Sequence, residues 1–264
     1  MFLKTYFTFP QAYAMQRHCT LHKTRIHISS KDILMKKIGL LGGMSWESTV
    51  TYYRLLNEGT RKRLGGIHSC KILMESVDFS ELKDLISKGD WASVGTKLAQ
   101  AGLNTEAGGA DMLLIGANTM HRVADTVQGA LEIPVLHIAD AIAIRAKELN
   151  VHKLGLLGTV FTMEHDFISR PLAEKYGLEI IVPEKEARGI IHDSIFNEFS
   201  RGQFLDSTRQ KYISIIQELK NNGAEAIILG CTEIGLLMED TDCNIPLIDT
   251  VQAHVNMALD KAIG

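Results

Sequence analysis

The chain has 264 residues, 45% hydrophobic and 22% charged, a globular balance that excludes intrinsic disorder. A formal net charge of -3 gives no basic field for a nucleic-acid backbone, and no apolar run approaches the ~18–20 residues that span a bilayer. The four cysteines, Cys19, Cys70, Cys231 and Cys243, have no CxxC spacing, and no histidine cluster joins them. No zinc site is therefore expected, and free thiols in a reducing, cytoplasmic compartment are.

Residues 1–34 are basic, with Lys4, Arg17, Lys23, Arg25 and Lys31 against Asp32 alone, and Met35 directly precedes KKIGLLGG, where a globular pattern begins. The segment is expected to be an unstructured extension, either transit-like or upstream of a true start at Met35. Short apolar runs then predict strands at 38–41, 72–77, 112–115 and 135–138, with helical patterns at 46–63, 81–88, 91–106 and 139–149. The second half predicts strands at 154–157, 178–182, 226–229 and 247–248, and helices at 163–176, 185–199, 207–221 and 251–262. Asp90, Thr162 and Asp206 are expected as helix N-caps. Continuous apolar strands alternating with helices predict an α/β protein with parallel sheet covered on both faces.

The chain also repeats itself. KKIGLLGG (36–43) matches HKLGLLGT (152–159), GADMLLIGANT (109–119) matches GAEAIILGCTE (223–233), and IPVLHIADA (133–141) matches IPLIDTVQA (245–253), at offsets of 116, 114 and 112. Any parallel strand can produce one such match, but three in order imply two copies of one α/β unit.

In such sheets ligands bind beyond the carboxyl ends of the strands. That rule selects GGMSW (42–46), ANTMH (117–121), GTVFT (158–162) and CTEIG (231–235). Gly42 and Gly43 are expected to let the backbone approach a ligand, and the helix start after them to favour an anion. The loop is neither GxGxxG nor a Walker motif, which argues against a nucleotide. Thr159 and Thr162 offer hydroxyls in the second copy, so a small substrate with carboxylate groups is expected. Cys231 ends a buried strand before a helix start, a place that lowers a thiol pKa, and is the candidate catalytic residue. Cys70 and Cys243 read as structural. The repeat mate of Cys231 is Ala117, with Asn118 against Thr232 and Thr119 against Glu233. Asn118 and Thr119 are candidate donors to a carboxylate, and Glu233 is a candidate to tune Cys231 or hold an ammonium group. His121 is a weaker candidate base, and His165 and His192 are weaker still. Arg188 reads better as a surface residue than as the partner of a second carboxylate.

The stretches GLLGGMSWESTVTYYRLLNEG (39–59), SVDF (76–79), NTMHRVAD (118–125), LHIADA (136–141), LLGT (156–159) and GCTEIGLL (230–237) resemble the aspartate/glutamate racemase family, in its broad-specificity amino-acid branch. The resemblance implies two similar lobes, each a four-stranded parallel sheet flanked by helices, related by a pseudo-twofold axis. It places 35–138 plus 250–264 in the first lobe and 139–249 in the second, because the C-terminal helix typically returns to the first. It further implies a homodimer, no pyridoxal phosphate or metal, and a small amino-acid or carboxylate substrate. Two-base racemization in this family uses one cysteine on each face of the substrate α-carbon. Carried over, Cys231 is the second-lobe acid/base, Asn118, Thr119 and Thr232 are substrate contacts, and Met44 lines the site. Ala117 departs from the pattern, since the family often has cysteine there and sometimes threonine. The departure leaves three outcomes: a racemase with another group serving that face, a one-cysteine enzyme resembling arylmalonate decarboxylases, or an amino-acid-binding protein without turnover.

Overall fold

The computed structural model describes residues 35–264; residues 1–34, with Cys19 and the extension expected there, lie outside the described residues. The first half holds β1 (Ile38–Gly42), α1 (Trp46–Leu64), β2 (Ile72–Ser76), α2 (Phe79–Ser87), α3 (Trp91–Ala107) and β3 (Met112–Ile115). A 3-10 turn (Thr119–Val123) then runs into α4 (Ala124–Ala130), followed by β4 (Val135–Leu136) and α5 (Ile138–Leu149). The second half holds β5 (Lys153–Leu157), α6 (Val160–Glu164), α7 (Ser169–Tyr176), β6 (Glu179–Ile181), α8 (Lys185–Asn197) and α9 (Asp206–Asn221). It closes with β7 (Ala226–Leu229), α10 (Ile234–Leu237), β8 (Leu247–Asp249) and α11 (Thr250–Ile263).

The strands form two four-stranded parallel sheets with the same order, β2-β1-β3-β4 and β6-β5-β7-β8. Every residue of β1, β3 and β7 is buried, as expected of central strands with helices on both faces. The repeated glycines have one physical reason in both copies. A Cβ on Gly116 would lie 2.7 Å from the Leu41 carbonyl oxygen, and one on Gly230 would lie 2.7 Å from that of Leu157. The same carbonyls accept from the Gly116 and Gly230 N–H groups at 2.8 and 2.7 Å. A side chain there would force the neighbouring strands apart.

α11 leaves the second sheet and packs on α1 and α5. Its buried His254 donates from Nε2 to the Leu136 carbonyl at 2.6 Å, so Nδ1 accepts from the Tyr52 hydroxyl at 2.9 Å. No helix of the described residues is long and apolar enough to cross a membrane.

Three local expectations need correction. The helix predicted over 163–176 is two helices, α6 and α7. Pro171 has no N–H to give to the Phe167 carbonyl and its ring would clash there, so a helix can begin only just before it. Thr162 is inside α6, whose cap is Thr159, with Oγ1 accepting from the Thr162 N–H at 3.2 Å. Asp206 is the first helical residue of α9 rather than its cap. Asp90 does cap α3, accepting from the Ser93 N–H at 3.1 Å.

Candidate active site

The carboxyl ends of the central strands open on a cleft of ≈ 320 Å³, near the lower end of the roughly 300–1,000 Å³ usual for small-molecule sites. Met44 reaches it from the loop after β1, and Ala117, Asn118 and Thr119 from the loop after β3. Thr159 lines it from the loop after β5, and Cys231, Thr232 and Glu233 from the loop after β7. These eight residues, expected from the sequence at a substrate site, border one space.

Cys231 is partly buried, and its thiol donates to Glu233 Oε2 at 2.8 Å. The Thr232 hydroxyl donates to the same oxygen at 2.7 Å. Ser48 Oγ in α1 lies 2.9 Å from Thr232 Oγ1, so a hydroxyl contact joins the first lobe to the second beside the carboxylate on which the Thr232 hydroxyl and the thiol converge. The helix-start position predicts a lowered thiol pKa, and the structure reverses that expectation. Burial first, then the charge and hydrogen bond of Glu233, hold Cys231 well above the usual thiol pKa, against the pull of the Glu233 and Thr232 backbone N–H groups. The resting group is a thiol hydrogen-bonded to a carboxylate.

Asn118 serves differently from the expectation. Its Nδ2 donates to the Gly230 carbonyl and to Thr250 Oγ1, both at 2.9 Å. Thr250 itself donates to the Leu229 carbonyl at 2.9 Å, so the amide orientation is fixed by two acceptors. The side-chain donor expected for a substrate carboxylate is therefore engaged with the second lobe. What remains is Oδ1, a buried acceptor with no partner among the described residues, suited to an ammonium group. Among the described residues, the Thr119 hydroxyl has no protein hydrogen-bond partner and lines the cleft.

Other expectations shift for steric reasons. Gly43 has φ +85° and its added Cβ would sit 2.1 Å from the Val77 carbonyl oxygen, while one on Gly42 would meet Thr49 at 2.4 Å. These glycines admit the protein's own chain, and neither lines the cleft. Thr159 and Thr162 bond to each other at 3.1 Å and serve the α6 cap. His121 is buried, with Nδ1 3.1 Å from the Ala117 carbonyl. Burial, then His137 and His254, keep it well below the usual imidazole pKa, and it does not line the cleft. His165 stacks on Phe161 with ring centroids 4.0 Å apart. On α8, Arg188 is held by Glu164 at 2.8 Å, and His192 Nδ1 accepts from the Val160 N–H at 3.3 Å.

Two groups of cleft residues escaped the sequence reading. Ser48 is one; Ser45, which caps α1 by accepting from the Ser48 N–H at 3.2 Å, was the available clue, because an S-x-x-S after a Gly-Gly turn marks a helix start. Phe79, Ile86, Phe161 and Phe196 are the other, and they form apolar walls. Phe196, 54% exposed on a helix face that should be polar, was a visible anomaly.

Comparison with known proteins is consistent in fold and sequence. The pattern described as Asp/Glu/Hydantoin racemase matches residues 41–258. A candidate Asp/Glu racemase from Yersinia pestis is 42% identical, with a TM-score of 0.84 over 87% of this chain and 100% of that one. An aspartate racemase homologue from Pyrococcus horikoshii OT3 is 32% identical, with a TM-score of 0.79 over 86% and 99%. The broad specificity amino-acid racemase RacX of Bacillus subtilis (strain 168) is 23% identical over 226 residues, 81% of this chain and 92% of RacX.

Proposed function

The chain belongs to the Asp/Glu/Hydantoin racemase family, and from that premise we propose that it is a cofactor-independent amino-acid racemase with Cys231 as the acid/base of one face. The observation that carries this is the thiol of Cys231 aimed at Glu233 inside the cleft.

Glu233 takes the thiol proton, and the resulting thiolate removes the α-proton of the bound amino acid. The electron pair left on the α-carbon delocalises into the carboxylate. The Thr119 hydroxyl stabilises that growing charge, and Asn118 Oδ1 accepts from the ammonium group. Returning the proton from Cys231 to the same face restores the starting enantiomer. Inversion requires a proton on the opposite face, where Ala117 has none to give. Water or Thr119 supplies it, so inversion is slower than same-face exchange.

The same observation supports a second, one-base reading, in which Cys231 protonates an enediolate after decarboxylation of a substituted malonate. The test is incubation of single enantiomers of amino acids with the protein in deuterated water. Deuterium at the α-carbon is expected. Carbon dioxide release from substituted malonates without amino-acid exchange would replace the racemase reading by the decarboxylase one. Thermal stabilisation by amino acids with no exchange would reduce the protein to a binder.

A further inference from the structure

The cleft walls carry a second kind of information, about the substrate side chain. Phe79 comes from the start of α2 in the first lobe and Phe196 from α8 in the second. They are 38% and 54% exposed, yet both border the same cleft, which Ile86 of α2 and Phe161 of α6 also line. Apolar surface left open to water in a concavity is stabilised when an apolar group covers it.

Charge points the same way. Among the described residues, no lysine or arginine lines the cleft, and its one acidic group is Glu233. Arg122 and Arg188, on elements that border the cleft, have partners of their own. Arg122 lies over the Trp91 ring at 4.6 Å and the Phe161 ring at 5.4 Å, and Arg188 is paired with Glu164. An amino acid with an apolar side chain enters as a net-neutral zwitterion, its ammonium matched to Glu233 and Asn118 Oδ1. Aspartate or glutamate would bring a second carboxylate against phenylalanine rings, with a carboxylate already present and no cation to offset it. Lysine would gain some attraction from the ring faces but would lose hydration of its ammonium with no second carboxylate among the described lining residues to replace it.

Building on the proton-transfer reading above, we propose that the cleft selects amino acids with apolar side chains, such as leucine, methionine and phenylalanine, and discriminates against aspartate and glutamate, with Phe79 and Phe196 as the selecting walls. The experiment is two measurements on the intact protein with leucine, methionine, phenylalanine, aspartate, glutamate and lysine. One is loss of the α-proton NMR signal in deuterated water, and the other is the shift in Tm at equal ligand concentration. The apolar set is expected to exchange faster than the acidic pair and lysine by about tenfold or more, and to raise Tm more. Exchange or stabilisation by aspartate, glutamate or lysine equal to that by leucine overturns the proposal. Stabilisation by the apolar set alone, without exchange, retains the side-chain selection and removes the proton-transfer reading. No stabilisation and no exchange removes both. Phe196→Lys is expected to move the leucine-to-glutamate ratio toward glutamate by about tenfold; an unchanged ratio removes Phe196 from the selecting wall and overturns the proposal as stated.

Discussion

At Gly116 and at Gly230 the chain behaves alike: each N–H meets the carbonyl of the central strand beside it, and each glycine is pressed so close that no Cβ fits. One residue later the two loops part. After Gly230 come a thiol, a hydroxyl and a carboxylate joined by hydrogen bonds. After Gly116 come a methyl group and an amide whose nitrogen is bonded to the other lobe. The repeat therefore conserves the backbone that aims a residue into the cleft while leaving its chemistry free to diverge. The second-lobe loop holds the thiol proposed above as the proton-transfer group, and the first-lobe loop bonds to the second lobe while the Thr119 hydroxyl faces the cleft.

Removing the group that distinguishes the loops has the largest expected effect. Cys231→Ala is expected to lower α-proton exchange by about 10²–10⁴-fold with little change in Tm, because Ala117 shows that the backbone accepts alanine at the equivalent place. Exchange that persists at the wild-type rate would show that another base acts. Making the loops alike is next: Ala117→Cys is expected to raise the rate of inversion by on the order of 10²-fold, read by chiral chromatography, with a smaller change in same-face exchange. An unaltered inversion rate would mean that residue 117 does not address the α-carbon.

A smaller effect, read as a pH shift, is expected at Glu233. Burial and the Glu233 charge raise the Cys231 pKa, so the thiolate that removes the proton is scarce at neutral pH and exchange rises with pH. Glu233→Gln removes the charge, lowers the thiol pKa and moves that rising limb to lower pH. The plateau, where the thiol is already deprotonated, is expected to change less than the position of the limb. A limb that stays in place would separate Glu233 from Cys231.

The smallest effect on chemistry, and one on stability instead, belongs to the frame common to both loops. Tyr52→Phe leaves His254 Nδ1 buried without its donor and is expected to cost about 1–3 kcal/mol in urea unfolding, with the exchange-to-inversion ratio unchanged. Burial lowers the pKa of His254 from 6.5 to about 4 and lowers those of His121 and His137 as well. A depressed histidine pKa favours the fold while the ring is neutral. Stability is therefore full above pH about 6.5 and falls as the pH drops toward 4, because the unfolded chain takes up protons first. Asp249, whose pKa burial raises, opposes this at the acid end. A urea midpoint that does not fall between pH 7 and 5 would contradict the buried neutral cluster.

What could be read in the sequence follows from how local its cause is. The strands over 112–115 and 226–229 were legible because continuous apolar runs are the direct record of burial on two faces, whereas Gly42 and Gly43 were misassigned to a ligand because the sequence does not show that Val77 and Thr49 fill the space beside them. The caps at Thr162 and Asp206 were misplaced because a cap depends on where the chain turns by a single residue, which the hydrophobic period does not resolve. The single helix over 163–176 ignored Pro171. Within the cleft, the loop residues were legible from the repeat and from the family resemblance, but their partners were not. Ser48 and Thr232 are 184 residues apart and Asn118 and Gly230 are 112 apart. Those contacts turn Asn118 from an expected donor into a brace, and the Glu233 contact turns Cys231 from an expected thiolate into a thiol.

The measurement that bears most directly on Cys231 as the acid/base of one face is the ratio of α-deuterium incorporation with retained configuration to that with inverted configuration. It is taken early in the reaction of a single enantiomer of leucine, and again of its mirror image, in deuterated water. The account predicts that one enantiomer acquires deuterium with its configuration retained well before inversion is detected, and that Cys231→Ala abolishes this exchange. Equal and simultaneous exchange and inversion from both enantiomers would contradict it, by showing that both faces carry competent proton-transfer groups despite Ala117.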